Sequence, residues 1–316
     1  MFRLQLMGLG VGAASIGTAV FSNSASALPL ASTVSSPARP TTILIHGLDS
    51  SKQTWSAVLS ELQREGYPAF AIDLRGHGES KLGDPSDFSP GMLARDVAAM
   101  AKEQQRAGRR FVVVGHSMGG RIAMRLAADS PGLVAALVVE DMCVTPRVKP
   151  APHTPGAFSA EALAPFGNDA NGRLFEDFAA AKKALLPWYD GGRIDSWKGL
   201  RIREQPAGGW FSDINPLAAN LARDTVLGTA DGREAWMAIS VLPVSFPVHL
   251  WVADRKETVC FWDGDDGIQG MAKALPAAEV REFPGSAHSI HNTAPDFTAA
   301  LMKVIDDAAA AEVCAL

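Results

Sequence analysis

The feature that most constrains this chain is the pentapeptide Gly-His-Ser-Met-Gly at Gly115–Gly119, which separates an apolar run from a helical pattern. The run Phe111–Val114 predicts a buried strand, and Arg121–Asp129 predicts a helix. A strand that passes through Gly-x-Ser-x-Gly directly into a helix holds its serine on a tight turn, because small residues allow the strand and the helix to approach. Ser117 is therefore a candidate nucleophile. The alternative is an incidental serine in a glycine-rich turn.

The composition is that of a globular, enzyme-sized protein. Of 316 residues, 47% are hydrophobic and 20% charged, which is enough to bury a full α/β core. The net charge of −5 and the lack of a Lys/Arg block predict no nucleic-acid partner. The cysteines Cys143, Cys260 and Cys314 are far apart in sequence and form no Cys-x-x-Cys pair, so neither a zinc site nor a disulfide scaffold is expected. We predict no cofactor and no metal, and the sequence leaves the oligomeric state open.

The N-terminal residues resemble a targeting segment. Arg3 precedes the apolar, Gly/Ala/Ser-rich run Leu4–Phe21, and Ala25-Ser26-Ala27 has the small-x-small form of a cleavage site. We therefore predict a signal or targeting peptide over residues 1–27 and a linker over 28–40, with export or organelle import and no stable membrane span after removal of the leader. An uncleaved membrane anchor is the alternative, and the compartment stays open.

Beyond the linker, strand and helix patterns alternate as in a parallel sheet covered by helices. We predict an open, doubly wound, mostly parallel α/β core formed by residues 41–144 and 244–316. Between them, residues 145–243 lack the alternation and predict a helical insertion, which includes a helical run over Leu174–Leu186. Ligands bind at the carboxyl ends of parallel strands, so an insertion that leaves from that edge is expected to form a lid over Ser117. Strands are predicted over residues 41–45, 67–73, 111–114, 134–140, 246–252 and 279–283.

A serine needs a base, and His288 is the predicted one. In chains with this serine turn the order is serine, acid, histidine, and the histidine follows the last strand. His288 comes shortly after the strand that ends at Phe283 and lies among small residues, whereas His291 is the competitor. We expect hydrogen bonds to nearby loops from His46, His77 and His116, and a surface or core position for His153 and His249.

Two backbone N–H groups are predicted to bind an oxyanion. One belongs to Met118, directly after the serine. The other belongs to Leu48, which follows Gly47 at the end of the strand that contains Ile45. An ordinary strand-end turn is the alternative interpretation of this His-Gly segment.

Four motifs together give the chain a resemblance to the α/β-hydrolase superfamily over about residues 40–310. Within it, the chain is similar to the small YbfF-type esterases, which carry Gly-His-Ser-Met-Gly-Gly and a Gly-x-Gly-His-x-x-His segment. The resemblance implies an α/β-hydrolase fold with a lid. One departure is Ser286-Ala287 before the histidine. The motifs are Ile45-His46-Gly47-Leu48, Asp73-Leu74-Arg75-Gly76-His77-Gly78-Glu79-Ser80, Gly115-His116-Ser117-Met118-Gly119-Gly120 and Gly285-Ser286-Ala287-His288.

The resemblance leaves more than one acid for the third catalytic position. The YbfF-type group carries an aspartate after the strand that follows the serine helix, which implies Asp141. Most members of the superfamily place it after the penultimate strand, where Asp254 and Glu257 lie. Glu140 is a further alternative, but neighbouring strand residues point to opposite faces, so Glu140 and Asp141 cannot both reach one histidine.

The residues and the resemblance together predict a serine hydrolase. Ser117, His288 and Asp141, with Asp254 as the alternative acid, are expected to cleave an ester or thioester of a small to medium apolar substrate through an acyl-enzyme. The Leu48 and Met118 amides are expected to hold the oxyanion. The alternatives are C–C bond hydrolysis or acyl transfer on the same fold, and a ligand receptor without turnover.

Overall fold

The computed structural model describes residues 18–19, 39–105, 108–147, 163–164, 166, 173–243 and 246–314. The strands in this part of the chain are β1 (Thr18–Ala19), β2 (Thr41–Ile45), β3 (Ala69–Ile72), β4 (Phe111–His116), β5 (Val134–Glu140), β6 (Leu174–Phe175), β7 (Ile202–Glu204), β8 (Trp210–Ser212), β9 (Val248–Ala253) and β10 (Glu279–Phe283). The α-helices are α1 (Ser56–Arg64), α2 (Pro90–Gln104), α3 (Met118–Asp129), α4 (Phe178–Leu185), α5 (Gly191–Ser196), α6 (Pro216–Leu221), α7 (Asp231–Val241), α8 (Ile268–Ala274), α9 (Ile290–Thr293) and α10 (Phe297–Cys314).

The main sheet has the strand order β1-β3-β2-β4-β5-β9-β10. All its neighbouring strands pair in parallel except the two-residue β1, which pairs antiparallel with β3. The central strands β4 and β5 are buried along their whole length, because helices cover both faces. One apolar cluster lies on the α3 side and a second on the α1 and α10 side. The predicted doubly wound, mostly parallel α/β fold is confirmed.

The insertion differs from its prediction as a purely helical segment. It contains a small antiparallel sheet of order β6-β8-β7, and Leu174, which was predicted to be helical, lies in β6. Strands β7 and β8 form a hairpin whose turn includes Gly208 and Gly209, with φ of 92° and 80°. Such positive φ angles favour glycine, so the Gly-Gly pair allows the chain to reverse there.

The apolar side chains of the predicted insertion belong to two different cores. Residues between Leu163 and Ile214 form a separate cluster, which includes Trp188, Trp197 and Trp210. By contrast, Trp236 of α7 packs in the main core on the α3 side, and its Nε1 donates to the carbonyl of Met271 at 3.1 Å. The second half of the insertion is therefore part of the main core. The action of the first half as a lid stays a prediction.

The predicted leader and linker lie outside the described residues, except for β1 and Arg39-Pro40. Targeting by residues 1–27 therefore stays a prediction, as does export or organelle import. Within the described ranges, no helix is both long enough and apolar enough to span a bilayer.

Candidate active site

Ser117 lies in the turn between β4 and α3 in a conformation that its neighbours impose. Its φ is 53° and its ψ is −121°, a strained combination for a residue with a side chain. The serine N–H donates to the carbonyl of Glu140 at 2.8 Å. A Cβ on Gly119 would come within 2.5 Å of the carbonyl oxygen of Ile45, and one on Gly115 would collide with the Gly119 carbonyl. Only glycines permit this close approach of strand and helix, so the motif fixes the position of Ser117.

The structure brings His288 and Asp141 together. The Nδ1 of His288 lies 2.6 Å from Oδ2 of Asp141, whose side chain is fully buried. Asp141 follows β5 with a φ of 45°, which turns its carboxylate toward this histidine. The carboxylate also accepts hydrogen bonds from the hydroxyl of Thr258 and from the backbone N–H groups of Ala253 and Val259. Since Nδ1 donates to the carboxylate, Nε2 of His288 is the nitrogen that can accept a proton.

The surroundings of Asp141 keep its carboxylate charged. Burial alone would raise its pKa, but the hydrogen bonds from His288, Thr258 and the two backbone groups together hold the pKa below its usual value. A charged acid that accepts from Nδ1 can stabilise an imidazolium on the same ring. This is the role of the acid in a serine–histidine–acid triad.

The alternative acids are engaged elsewhere. The carboxylate of Asp254 accepts from the backbone N–H groups of Lys256 and Gly285, at 3.0 and 2.9 Å. These two bonds lower the pKa of the exposed Asp254, and they join the turn after β9 to the loop before His288. The carboxylate of Glu140 lies against His291 instead, with 2.7 Å between Oε1 and Nδ1.

The loop that was predicted to supply one oxyanion donor passes directly beside Ser117. A Cβ on Gly47 would lie 3.1 Å from the Cβ of Ser117, so the backbone just before Leu48 is next to the serine. His46 fixes this loop, because one ring nitrogen donates to the Gly47 carbonyl at 2.7 Å and the other accepts from the Leu74 N–H at 3.1 Å. Burial lowers the pKa of His46 and keeps the ring neutral, as this pattern requires.

The Met118 amide begins α3. The first N–H groups of a helix have no partner within the helix, and they lie at its positive end. The Met118 and Leu48 amides therefore belong to two backbone segments that flank Ser117. Their role as oxyanion donors stays a prediction.

Another histidine of the turn, His116, supports the loop that carries His288. Its Nε2 donates to the carbonyl of His288 at 3.1 Å, and the two rings lie 4.6 Å apart between centroids. Burial lowers the pKa of His116 to about 3, so the ring is neutral at ordinary pH. The predicted loop hydrogen bonds of His46, His77 and His116 are all present, with His77 near the Arg75 carbonyl at 3.1 Å. His249 instead pairs with Glu279, and His153 lies outside the described residues.

His116 also forms a cluster with Glu140 and His291. One potential ligand atom from each lies within 4.8 Å of the others, the separation at which a metal site becomes conceivable. However, the Nδ1 of His291 already donates to Glu140 at 2.7 Å, so these two atoms share a proton. The cluster is therefore better described as a hydrogen-bonded acid–histidine pair beside a neutral imidazole.

Sequence reasoning missed the contacts that join the insertion to the loop beside Ser117. Asp49, just after Leu48, has a φ of 52° and accepts from the Tyr189 hydroxyl at 2.7 Å and from Arg223 at 2.8 Å. It also missed Thr258, which holds Asp141. Neither contact can be predicted from motif spacing, because the partners lie far apart in sequence.

The site combines a serine in the turn after a central parallel strand with an acid-bound histidine on a loop at the same edge of the sheet. This arrangement is typical of hydrolases. A family profile described as the alpha/beta hydrolase family matches residues 42–301. The chain belongs to this family. Whether it lies closest to the YbfF-type group stays a prediction.

Curated relatives include several hydrolases. Esterase Rv0045c of Mycobacterium tuberculosis is 41% identical over 107 residues, which cover 34% of this chain and 34% of that esterase. A 2-(acetamidomethylene)succinate hydrolase of Mesorhizobium japonicum is 26% identical over 82% of this chain and 85% of that protein. The match with esterase Rv0045c spans only about a third of that protein's length, so the activity of Rv0045c cannot be assigned to this chain.

Solved structures show the same fold. A marine microorganism esterase superimposes with a TM-score of 0.59 at 19% identity and covers 92% of this chain and 98% of its own. An E-2-(acetamidomethylene)succinate hydrolase gives a TM-score of 0.58 at 22% identity, covering 85% and 91% of the two chains. The family match and the shared fold place this chain among the alpha/beta hydrolases.

Proposed function

We propose that this hydrolase cleaves a carboxylic ester or thioester through an acyl-enzyme on Ser117. The observation that carries the proposal is the 2.6 Å hydrogen bond between His288 and the buried Asp141, formed at the same edge of the sheet as the strained Ser117. A charged acid bound to Nδ1 leaves Nε2 as the base. The fold then supplies a nucleophile, a base and an orienting group in the chain order serine, acid, histidine.

In this mechanism the Ser117 hydroxyl attacks the carbonyl carbon of the substrate while His288 Nε2 accepts its proton. Asp141 keeps the ring oriented and stabilises the imidazolium, which then protonates the leaving alcohol or thiol. A water molecule, deprotonated by the same Nε2, then attacks the acyl-enzyme; the bond to the Ser117 oxygen breaks, the imidazolium returns its proton to that oxygen, and the carboxylic acid leaves. The Leu48 and Met118 amides stabilise the oxyanion of both tetrahedral intermediates.

The substrate class rests on weaker support than the chemistry. Esterase-named relatives favour an ester, and the apolar composition favours a small to medium apolar acyl or alkyl group. The tryptophans of the insertion give no further support, because Trp188, Trp197 and Trp210 pack in the insertion's own cluster and Trp236 packs in the main core. A panel of p-nitrophenyl esters of graded chain length measures the preference directly.

The proposal is tested by labelling with a fluorophosphonate, which reacts with an activated serine. We expect one adduct per chain at Ser117, located by peptide mass spectrometry, and ester turnover that the adduct abolishes. Ser117→Ala should lose both labelling and turnover while keeping its fold by circular dichroism. A folded wild-type chain that takes up no label at Ser117 would refute the proposal.

A second candidate uses the same residues on a different bond. The relative that aligns with 82% of this chain is named for hydrolysis of 2-(acetamidomethylene)succinate, which is not named as an ester. C–C bond hydrolysis or acyl transfer to an alcohol would also proceed from Ser117, whereas a ligand receptor would bind without multiple turnover. Product analysis with and without an added alcohol separates these outcomes, since only transfer yields a new ester.

A further inference from the structure

Two consecutive acids, the last residue of β5 and the residue after it, hold two histidines of one short segment. Asp141 binds His288, whereas Glu140 Oε1 accepts both from Nδ1 of His291, at 2.7 Å, and from its backbone N–H, at 2.9 Å. The two carboxylates diverge because Glu140 is the last residue of β5, whereas Asp141 lies just beyond it with a φ of 45°. Glu140 was an alternative candidate for the catalytic acid and His291 for the base, and the structure pairs these two residues with each other.

The pair between Glu140 and His291 is completely enclosed. Neither side chain is exposed to solvent, and Glu140 Oε2 has no hydrogen-bond donor among the described residues. Trp55 stacks on the His291 ring with 4.1 Å between centroids, and the Thr54 hydroxyl lies 2.8 Å from Nε2. The ring is therefore held at both nitrogens and on one face. Such a buried acid is costly unless it is paired, so the arrangement strongly favours a single geometry.

The charge of Glu140 is maintained in this enclosed site. Burial alone would raise its pKa, but the neighbouring His291, through its ring and its two hydrogen bonds, holds the pKa below its usual value. The carboxylate therefore accepts from the backbone and the ring of His291 as a charged group, which makes both hydrogen bonds stronger than neutral ones.

These bonds act on the segment that carries His288. His288 is fixed at its ring by Asp141 and at its carbonyl by His116, and three residues later the chain is fixed at His291 by Glu140. The bonds at the ring and carbonyl of His288 do not fix the chain that follows it, whereas the bonds from His291 to Glu140 fix that chain three residues later. Proton transfer between Ser117 and His288 tolerates little displacement, because a misplacement of about 1 Å can cost about a hundredfold in rate.

We propose that Glu140 and His291 form a second acid–histidine pair, which positions His288 for proton exchange with Ser117. Neither residue contacts the reacting atoms in this scheme, so both are positioning residues. The inference rests on the proposed serine chemistry and extends it.

Glu140→Gln tests the pair with the smallest change in shape. The substitution removes the charge that anchors His291, and it does not alter the side chains of Ser117, His288 and Asp141. We expect kcat to fall by on the order of 10- to 100-fold with little change in KM, because the ring is misplaced rather than the substrate. The rate of fluorophosphonate labelling at Ser117 should fall in proportion, since it depends on the same proton transfer.

Two substitutions of the partner provide a rescue test. In His291→Asn the side-chain amide can place a donor close to the position of Nδ1, so we expect activity within about threefold of wild type. His291→Leu has no side-chain donor and should show the same loss as Glu140→Gln. If Glu140→Gln does not fold, this comparison still decides the question, because both chains keep the carboxylate.

A matched control is the pair between His249 and Glu279, whose atoms lie 3.1 Å apart. Both residues lie near the beginnings of β9 and β10, at the edge of the sheet opposite the site. Glu279→Gln should leave kcat and labelling unchanged. The inference is overturned if Glu140→Gln and His291→Leu lower the melting temperature but retain wild-type kcat and labelling rate in the folded state. It is also overturned if His291→Asn is as impaired as His291→Leu. An unlabelled Ser117 in the wild-type chain would instead refute the serine chemistry itself.

Discussion

At the scale of single residues, the hydrogen bonds that each acid already makes decide which acid can serve His288. Asp254 lies at the position that most of the superfamily uses, but backbone N–H groups of Lys256 and Gly285 occupy its carboxylate. Asp141 reaches His288 because a φ of 45° turns the chain at the end of β5. A strained backbone at a candidate site is expected where function, rather than stability, sets the geometry.

Asp141→Asn should lower kcat by about 10⁴-fold, because an amide no longer fixes the tautomer of His288 or stabilises its charged form. The measurement is steady-state turnover of the best p-nitrophenyl ester. Asp254→Asn is the matched control and should retain turnover within a fewfold, since its carboxylate holds only backbone groups. The reverse ranking of the two variants would assign the acid to Asp254.

The buried His116 should make the fold sensitive to mild acid. Burial lowers its pKa from 6.5 to about 3, so between these values the unfolded chain binds a proton that the folded chain does not. Stability therefore falls as the pH drops below about 6.5, by at most about 1.4 kcal/mol per pH unit for this ring. His116→Gln keeps a donor toward the His288 carbonyl but cannot titrate.

Urea unfolding at pH 7 and pH 5 measures this contribution. The wild-type chain should lose more stability over this interval than His116→Gln, by up to about 2 kcal/mol. The other buried histidines, His46 and His77, also have lowered pKa values but are common to both chains, so they cancel in the comparison. Equal losses would mean that His116 binds its proton equally well in the folded and unfolded states.

At the scale of elements, the fully buried strands were the parts that sequence could predict. Strands β2 and β5 begin and end at their predicted residues, because parallel strands covered on both faces leave unbroken apolar runs. The edge strand β10 also matches its predicted bounds, although most of its residues are exposed. The two- and three-residue strands β6, β7 and β8 are too short to show any period. Their sheet depends on packing within the insertion, which no local pattern records.

The same distinction applies to the site. Ser117 and His288 carry motifs because their local turns demand particular neighbours, such as the glycines around the serine. Asp141 was selected by resemblance alone, and its hydrogen bond to His288 depends on the pairing of β5 with β9 and of β9 with β10. Contacts such as that between Glu140 and His291 join residues far apart in sequence, so spacing holds no information about them.

At the scale of the whole molecule, a small polar latch connects the insertion to the loop beside Ser117. The latch consists of Asp49, Tyr189, Arg193 and Arg223, in which the last three donate to the carboxylate of Asp49. Tyr189 lies just before α5, Arg193 lies within it, and Arg223 follows α6. One carboxylate therefore binds residues from both halves of the insertion. Since Asp49 directly follows Leu48, movement of the insertion is expected to act on the loop that was predicted to bind the oxyanion.

Tyr189→Phe should loosen this latch by removing one hydroxyl from a buried bond. Burial raises the pKa of Tyr189, so its hydroxyl remains a donor to Asp49 throughout the neutral range. We expect limited proteolysis within the insertion to accelerate by about 10- to 100-fold, because loss of a hydrogen bond to a charged group costs about 1.5–3 kcal/mol. Asp195→Asn is the control, since its exposed ion pair with Lys182 joins α4 to α5 without reaching the core. Equal cleavage rates for the two variants would show that Asp49 does not restrain the insertion.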